Sequence, residues 1–175
     1  MALTLAIQHE TCHSYAELDC QPDDLFKSSV RQICGLFVTI HDSKLYLIHQ
    51  TAREFLIPES HSLNDGSSGW QNSIKLEEAE LTLSYACISL LCFHDFQNPP
   101  PWGDGVADSY SDIIWMSYAN SHTFLQYSAV HWARHFQSIE KKAPKAILNS
   151  VMKLCDATSS RFYTRFAGYK DNPHS

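Results

Sequence analysis

The sequence predicts a mainly α protein with a single β-hairpin, divided into two segments. Three observations carry that expectation. Apolar residues return at helical spacing in several separate stretches. One stretch alone, LFVTIHDSKLYLIH, splits into two β-rich runs about a turn pair. A polar, Gly- and Ser-rich interval, PESHSLNDGSSGWQNS at 58–73, separates the hairpin-bearing segment from a purely helical one. With 175 residues, 44% of them hydrophobic, the chain has apolar material for one ordinary core or two small ones.

The first segment is read from its N-terminal end. MALTLAIQ is apolar, short and uncapped, and is expected to be the remainder of a helix. HETCHSYAELDCQPDD is polar and interrupted by Pro22, so it predicts a short helix at most, framed by loops. Pro22, Asp23 and Asp24 then open a helix, because Pro is tolerated in the first turn and acids favour the positive end of the helix dipole. Phe26, Val30, Ile33 and Cys34 recur on one face of it, and Gly35 closes it. Leu36–Ile40 and Leu45–His49 flank Asp42-Ser43 as a hairpin. TAREFLI comes next as a short helix, with Thr51 and Glu54 at capping-box spacing and Pro58 as the stop. Helix, loop, helix, hairpin, helix is the order of a winged-helix domain lacking its N-terminal portion.

Beyond the linker the pattern is helical throughout. LEEAELTLSYACISLLCF carries an apolar stripe through Leu76, Ala79, Leu83, Ala86 and Leu90, with Cys87 and Leu91 beside it, and NPPPWGDG ends it. FLQYSAVHWARHF repeats the pattern at Leu125, Ala129, Trp132 and Phe136. Pro144 can open a further helix over APKAILNSVMKLC, and SSRFYTRFAGY is a candidate last one. The expected division is a partial winged helix at 1–57, a linker at 58–73 and an α-helical spacer bundle at 74–175.

Charge and cysteine usage narrow the function. A net charge of −6 argues against a nucleic-acid or anionic-membrane surface, which needs clustered Lys and Arg. Cys12, Cys20, Cys34, Cys87, Cys92 and Cys155 show no zinc-ribbon or thioredoxin spacing. No secretory signal and no 18-residue apolar run is present, so a soluble cytoplasmic protein with reduced, mostly buried thiols is expected.

Four motifs invite chemistry. HETCH matches the H-E-x-x-H of zinc hydrolases, with His9 and His13 as ligands and Glu10 as the water-activating base. That chemistry needs a stable helix, a third ligand and an apolar residue packing the helix into a core. Here Thr11 follows the glutamate and Pro22 closes the stretch, so coincidence is the favoured reading. His131 and His135 in HWARH share one helix face, but no Cys or carboxylate nearby in sequence completes a metal set, and Trp132, Ala133 and Phe136 are expected to form the buried side. Lys27 and Arg31 could contact DNA from the helix at 24–34, although Asp23 and Asp24 oppose them. Cys12 beside His13 lacks an orienting third group for nucleophilic catalysis.

VRQICGLFVTIHDSKLYLIHQTAREFLI resembles the winged-helix portion that follows the NACHT nucleotide-binding core in fungal STAND-type (NOD-like) receptors. FLQYSAVHWARHF and LCDATSSRFYTRF are similar to the helical spacer those proteins place before ankyrin-type repeats. The resemblance is tightest over 24–57, looser over 76–96 and 122–166, and poor over 97–118. The winged-helix part is sometimes labelled after a GPI inositol-deacylase, but this chain has no G-x-S-x-G elbow.

The resemblance implies a non-enzymatic regulatory and scaffold piece of a signalling receptor, with the nucleotide-binding core and the repeat domain as natural partners. It also implies a role for His49 in YLIHQTAREFL, ahead of Glu54-Phe55. In the resting receptor the equivalent histidine reaches the β-phosphate of ADP, a charge-assisted contact worth about 1–3 kcal/mol, with the following helix N-terminus adding to it. No G-x-x-x-x-G-K-[ST] loop is present, so the chain is expected to hold no cofactor by itself. Apolar surface left where a helix is missing predicts self-association.

Overall fold

A computed structural model describes residues 12–18, 22–42, 44–57, 70–96, 117–156 and 158. The protein is mainly helical with one two-stranded antiparallel hairpin, as the sequence predicts. It forms two compact units: a smaller one over the described residues from 22 to 79, and a larger one combining 12–18 with the described residues from Glu80 onward.

In the smaller unit, Pro22 precedes helix α1 (Asp23–Cys34), which places Asp23 and Asp24 in the first turn and Arg31 in the last. Both placements complement the helix dipole. Gly35 closes the helix with φ of 52°, a left-handed backbone that a side chain at Cβ would strain, and its N–H caps the Arg31 carbonyl. The chain then makes a 3-10 turn at Gly35–Phe37, where the sequence pattern places the start of the first strand. Strand β1 (Val38–His41) pairs with β2 (Lys44–Leu47) in the register Val38↔Leu47, Thr39↔Tyr46, Ile40↔Leu45 and His41↔Lys44. Asp42 in the intervening turn has φ of 48°, which Asp tolerates and which suits the twist of a two-residue hairpin.

Helix α2 (Gln50–Leu56) follows directly. Phe37 stacks on Phe55 at 5.7 Å and meets Trp70 at 6.5 Å. The return of the chain is tied to α2 by Asn72 N–H to Phe55 O (2.8 Å) and Ile74 N–H to Leu56 O (2.9 Å). The last residues of the expected linker thus belong to this unit, whereas 58–69 lie outside the described residues. Burial is sparse: Val30, Ala52 and Leu56 are the buried hydrophobics among its described residues, while Ile33, expected on the core face of α1, is 63% exposed.

The larger unit holds the main core. Helix α3 (Leu76–Leu91) enters it at Glu80 and is buried on most sides in its second half, at Ser84, Ala86, Cys87, Ile88, Leu90 and Leu91. Helix α4 (Leu125–Ile139) and helix α5 (Lys145–Cys155, opened by Pro144) complete it with a helical stretch at 117–121. Phe93, Phe96, Leu125, Ile147 and Leu154 are fully buried, each contributing about 1.5–3 kcal/mol of apolar burial.

Residues 12–18 pack in this core rather than with the hairpin, a difference from the expected 1–57 grouping. Cys12 and Leu18 are buried in it. His94 N–H donates to His13 O (2.9 Å), Tyr15 N–H to Asp95 Oδ2 (2.7 Å), and the Tyr15 hydroxyl to Thr123 O (2.6 Å). These are tertiary contacts that local sequence pattern does not encode. The candidate elements at 1–8 and 159–169 lie outside the described residues. No helix among the described residues is long and apolar enough to cross a membrane.

Candidate functional site

His49 stands between hairpin and helix. Its backbone is extended, and its exposed side chain is the N-cap of α2: Nδ1 accepts the Thr51 N–H at 3.2 Å and lies 3.1 Å from Thr51 Oγ1. The cap is therefore His49 itself and not Thr51, as capping-box spacing suggested. Because Nδ1 accepts, the neutral ring carries its proton on Nε2, which remains a donor for a partner. The Thr51 amide is engaged by His49 Nδ1 and the Ala52 amide by His49 O at 3.0 Å. Two of the first-turn amides expected to assist a phosphate are thus already bonded.

The other sequence candidates separate. His9, Glu10 and Thr11 lie outside the described residues. His13 N–H donates to Glu17 Oε2 (2.7 Å), holding that carboxyl below its usual range, and the His13 ring stacks with His94 at 6.1 Å. Cys12 Sγ donates to Glu17 O at 3.5 Å, an arrangement that closes a local turn. Lys27 is half-buried and Arg31 exposed, on the same helix as exposed Asp23 and Asp24. Among the described residues no group of three or more His, Cys, Asp or Glu side chains could hold a metal ion.

HWARH leads to a cluster that sequence reading did not assemble. His135 is buried, and Ala133, expected on the buried side, is exposed. Burial is possible because both imidazole nitrogens are satisfied. His135 Nδ1 meets Glu80 Oε2 at 2.5 Å, and Nε2 meets the Tyr127 hydroxyl at 3.0 Å. A carboxylate only accepts, so Nδ1 carries a proton, and in the neutral ring Nε2 then accepts from Tyr127.

His131 lies between, its ring 4.5 Å from that of Tyr127 and 6.4 Å from that of His135. Burial, His135 and Arg134 lower its pKa. Tyr127, His131 and His135 recur every four residues, so one helix face was legible; Glu80, 55 residues from His135, was not.

The order carboxylate, imidazole, hydroxyl is that of a nucleophile relay. Here the terminal group is a phenol whose pKa is raised by burial and then by Cys87 and Glu80. It keeps its proton and makes a poor nucleophile. Cys87, on the same helix as Glu80, is pushed up to about 11 by burial despite Ser128 nearby, so it is a protonated core thiol. The cluster's chemistry is that of a clamp between α3 and α4. Because both His135 nitrogens are engaged, the His131–His135 pair cannot bind a metal without breaking that clamp.

No protein-family model, curated protein or solved structure matches the chain.

Proposed function

We propose that the chain is a non-enzymatic docking and scaffold module, a cytoplasmic piece of a NACHT-type signalling receptor whose helix–hairpin–helix unit packs on the nucleotide-binding core. One observation carries this reading: the distribution of uncovered apolar side chains. Of the fourteen large hydrophobics exposed among the described residues, eleven (Leu25 through Leu76) fall in the smaller unit, where only three hydrophobics are buried. Leu36 at 87% exposure and Ile33 at 63% are extreme. Apolar surface gathered in this way marks an interaction surface more often than a free monomer's exterior. The helix, hairpin and helix at 23–56, with His49 at the junction, occupy the order that the family resemblance implies. The larger unit, with its closed core, serves in this reading as the spacer.

The test is calorimetric titration of the full chain with a recombinant NACHT nucleotide-binding core loaded with ADP. Saturable binding that Leu36→Lys weakens at least about tenfold supports the reading, since a charge buried without a partner is costly. Absence of binding with ADP, ATP or no nucleotide overturns it.

A further inference from the structure

Beyond that docking role, the hairpin has a self-complementary edge, and we infer that two copies of this chain pair through it, β2 against β2, into a four-stranded antiparallel sheet. Register decides which groups face that edge. Ile48 N–H donates to Phe37 O at 3.1 Å, extending the ladder Val38↔Leu47 to His41↔Lys44 by one pair. Bonded and non-bonded pairs alternate in an antiparallel ladder. Phe37/Ile48, Thr39/Tyr46 and His41/Lys44 are therefore the bonded pairs, and the N–H and C=O groups of Leu45 and Leu47 face the outer edge. β2 has no strand on that side among the described residues.

A two-fold axis at Tyr46 sets Leu45 opposite Leu47 of the second copy, and Leu47 opposite its Leu45. Both are bonded pairs, so all four outward N–H groups find carbonyls. Tyr46 then faces its own counterpart as a non-bonded pair, the closer kind, in which aromatic side chains pack well. Lys44 falls opposite Ile48, so no like charges meet across the axis.

The area suffices for a weak dimer. Leu45, Tyr46, Leu47 and Ile48 are 50%, 47%, 41% and 56% exposed. Over two copies these four residues, backbone included, expose roughly 800 Å², the range of weak, transient association. The segment carries no proline, and its one charge, Lys44, stands at its end.

Sedimentation velocity of the full chain across a concentration series tests this, with a monomer–dimer equilibrium expected in the micromolar range. Leu45→Pro removes an outward N–H without touching the bonds to β1. It should raise the dissociation constant about tenfold or more, two symmetry-related bonds being lost. Met152→Lys, in the other unit, should leave the constant unchanged. Because Leu45→Pro could unfold the hairpin, Tyr46→Cys provides a second readout. Under diamide, which takes up the two electrons and two protons of the thiols, it should form a 46–46 disulfide, identified as the linked peptide, far faster than Thr39→Cys links to itself. A monomer at every concentration overturns the pairing, as does a dimer indifferent to Leu45→Pro whose position 46 links no faster than 39.

Discussion

Glu80 Oε2 lies 2.5 Å from His135 Nδ1, and this contact, spanning 55 residues of sequence, joins α3 to α4 through a buried imidazole whose other nitrogen holds Tyr127. Removing the carboxylate leaves a buried N–H without an acceptor. Glu80→Leu should therefore cost about 1–3 kcal/mol and Tyr127→Phe about 0.5–1.5 kcal/mol. The double variant should lose less than the sum, since the two bonds share one ring, with a coupling of at least about 0.5 kcal/mol. Guanidinium unfolding followed by far-UV circular dichroism measures all three. Strict additivity would show that the ring does not couple the helices.

Cys87, on the same helix as Glu80, is fully buried, with its thiol raised to about 11. Cys155 is exposed. Thiolate is the reactive form, so Cys87 should resist an aromatic disulfide reagent at about pH 8 in the native state and react only on unfolding, whereas Cys155 should label at once. Peptide mapping of the labelled protein distinguishes the two. Rapid native labelling of Cys87 would mean that the α3–α4 core opens readily.

Local pattern made the helices and the hairpin legible. Pro22 with two acids, Gly35 at the helix end, and the Asp42 turn each act over a few residues, and each stands where the sequence predicts it. Which segments meet is not carried by local pattern. The sequence pattern groups residues 12–18 with the helix and hairpin that follow them, yet Tyr15 bonds to Asp95 and Thr123, partners 80 and 108 residues away. Likewise Tyr127, His131 and His135 mark a polar face, but only tertiary packing supplies Glu80. His49 shows a third kind of limit. The sequence singles out the residue, while its capping of Thr51 depends on a backbone angle that no motif states.

That cap yields its own prediction. His49→Ala removes the acceptor for the Thr51 amide and should cost α2 about 1 kcal/mol, as N-cap losses do. Amide exchange at Thr51 should accelerate several-fold at least, with the β1–β2 ladder unaffected. His49→Asn keeps an acceptor and should restore protection. Equal exchange in all three proteins would show that the side chain does not cap the helix.

His131 predicts the direction of pH dependence. Its pKa is lowered below 6.5 by burial first, then by His135 and Arg134, the cationic or protonatable groups on its own helix. Across from α4, Glu80 of α3 is bonded to His135. A histidine with a depressed folded-state pKa binds fewer protons folded than unfolded. Its contribution is nil above 6.5, where both states are neutral, and destabilising as pH falls from 6.5 through the folded pKa. Urea midpoints measured on the falling side of that window should decline in the wild-type chain. His131→Gln removes the titrating group and should flatten the decline, while leaving the midpoint near neutral pH within about 0.5 kcal/mol in the equivalent free energy. An unchanged slope in His131→Gln would assign the acid sensitivity to other groups.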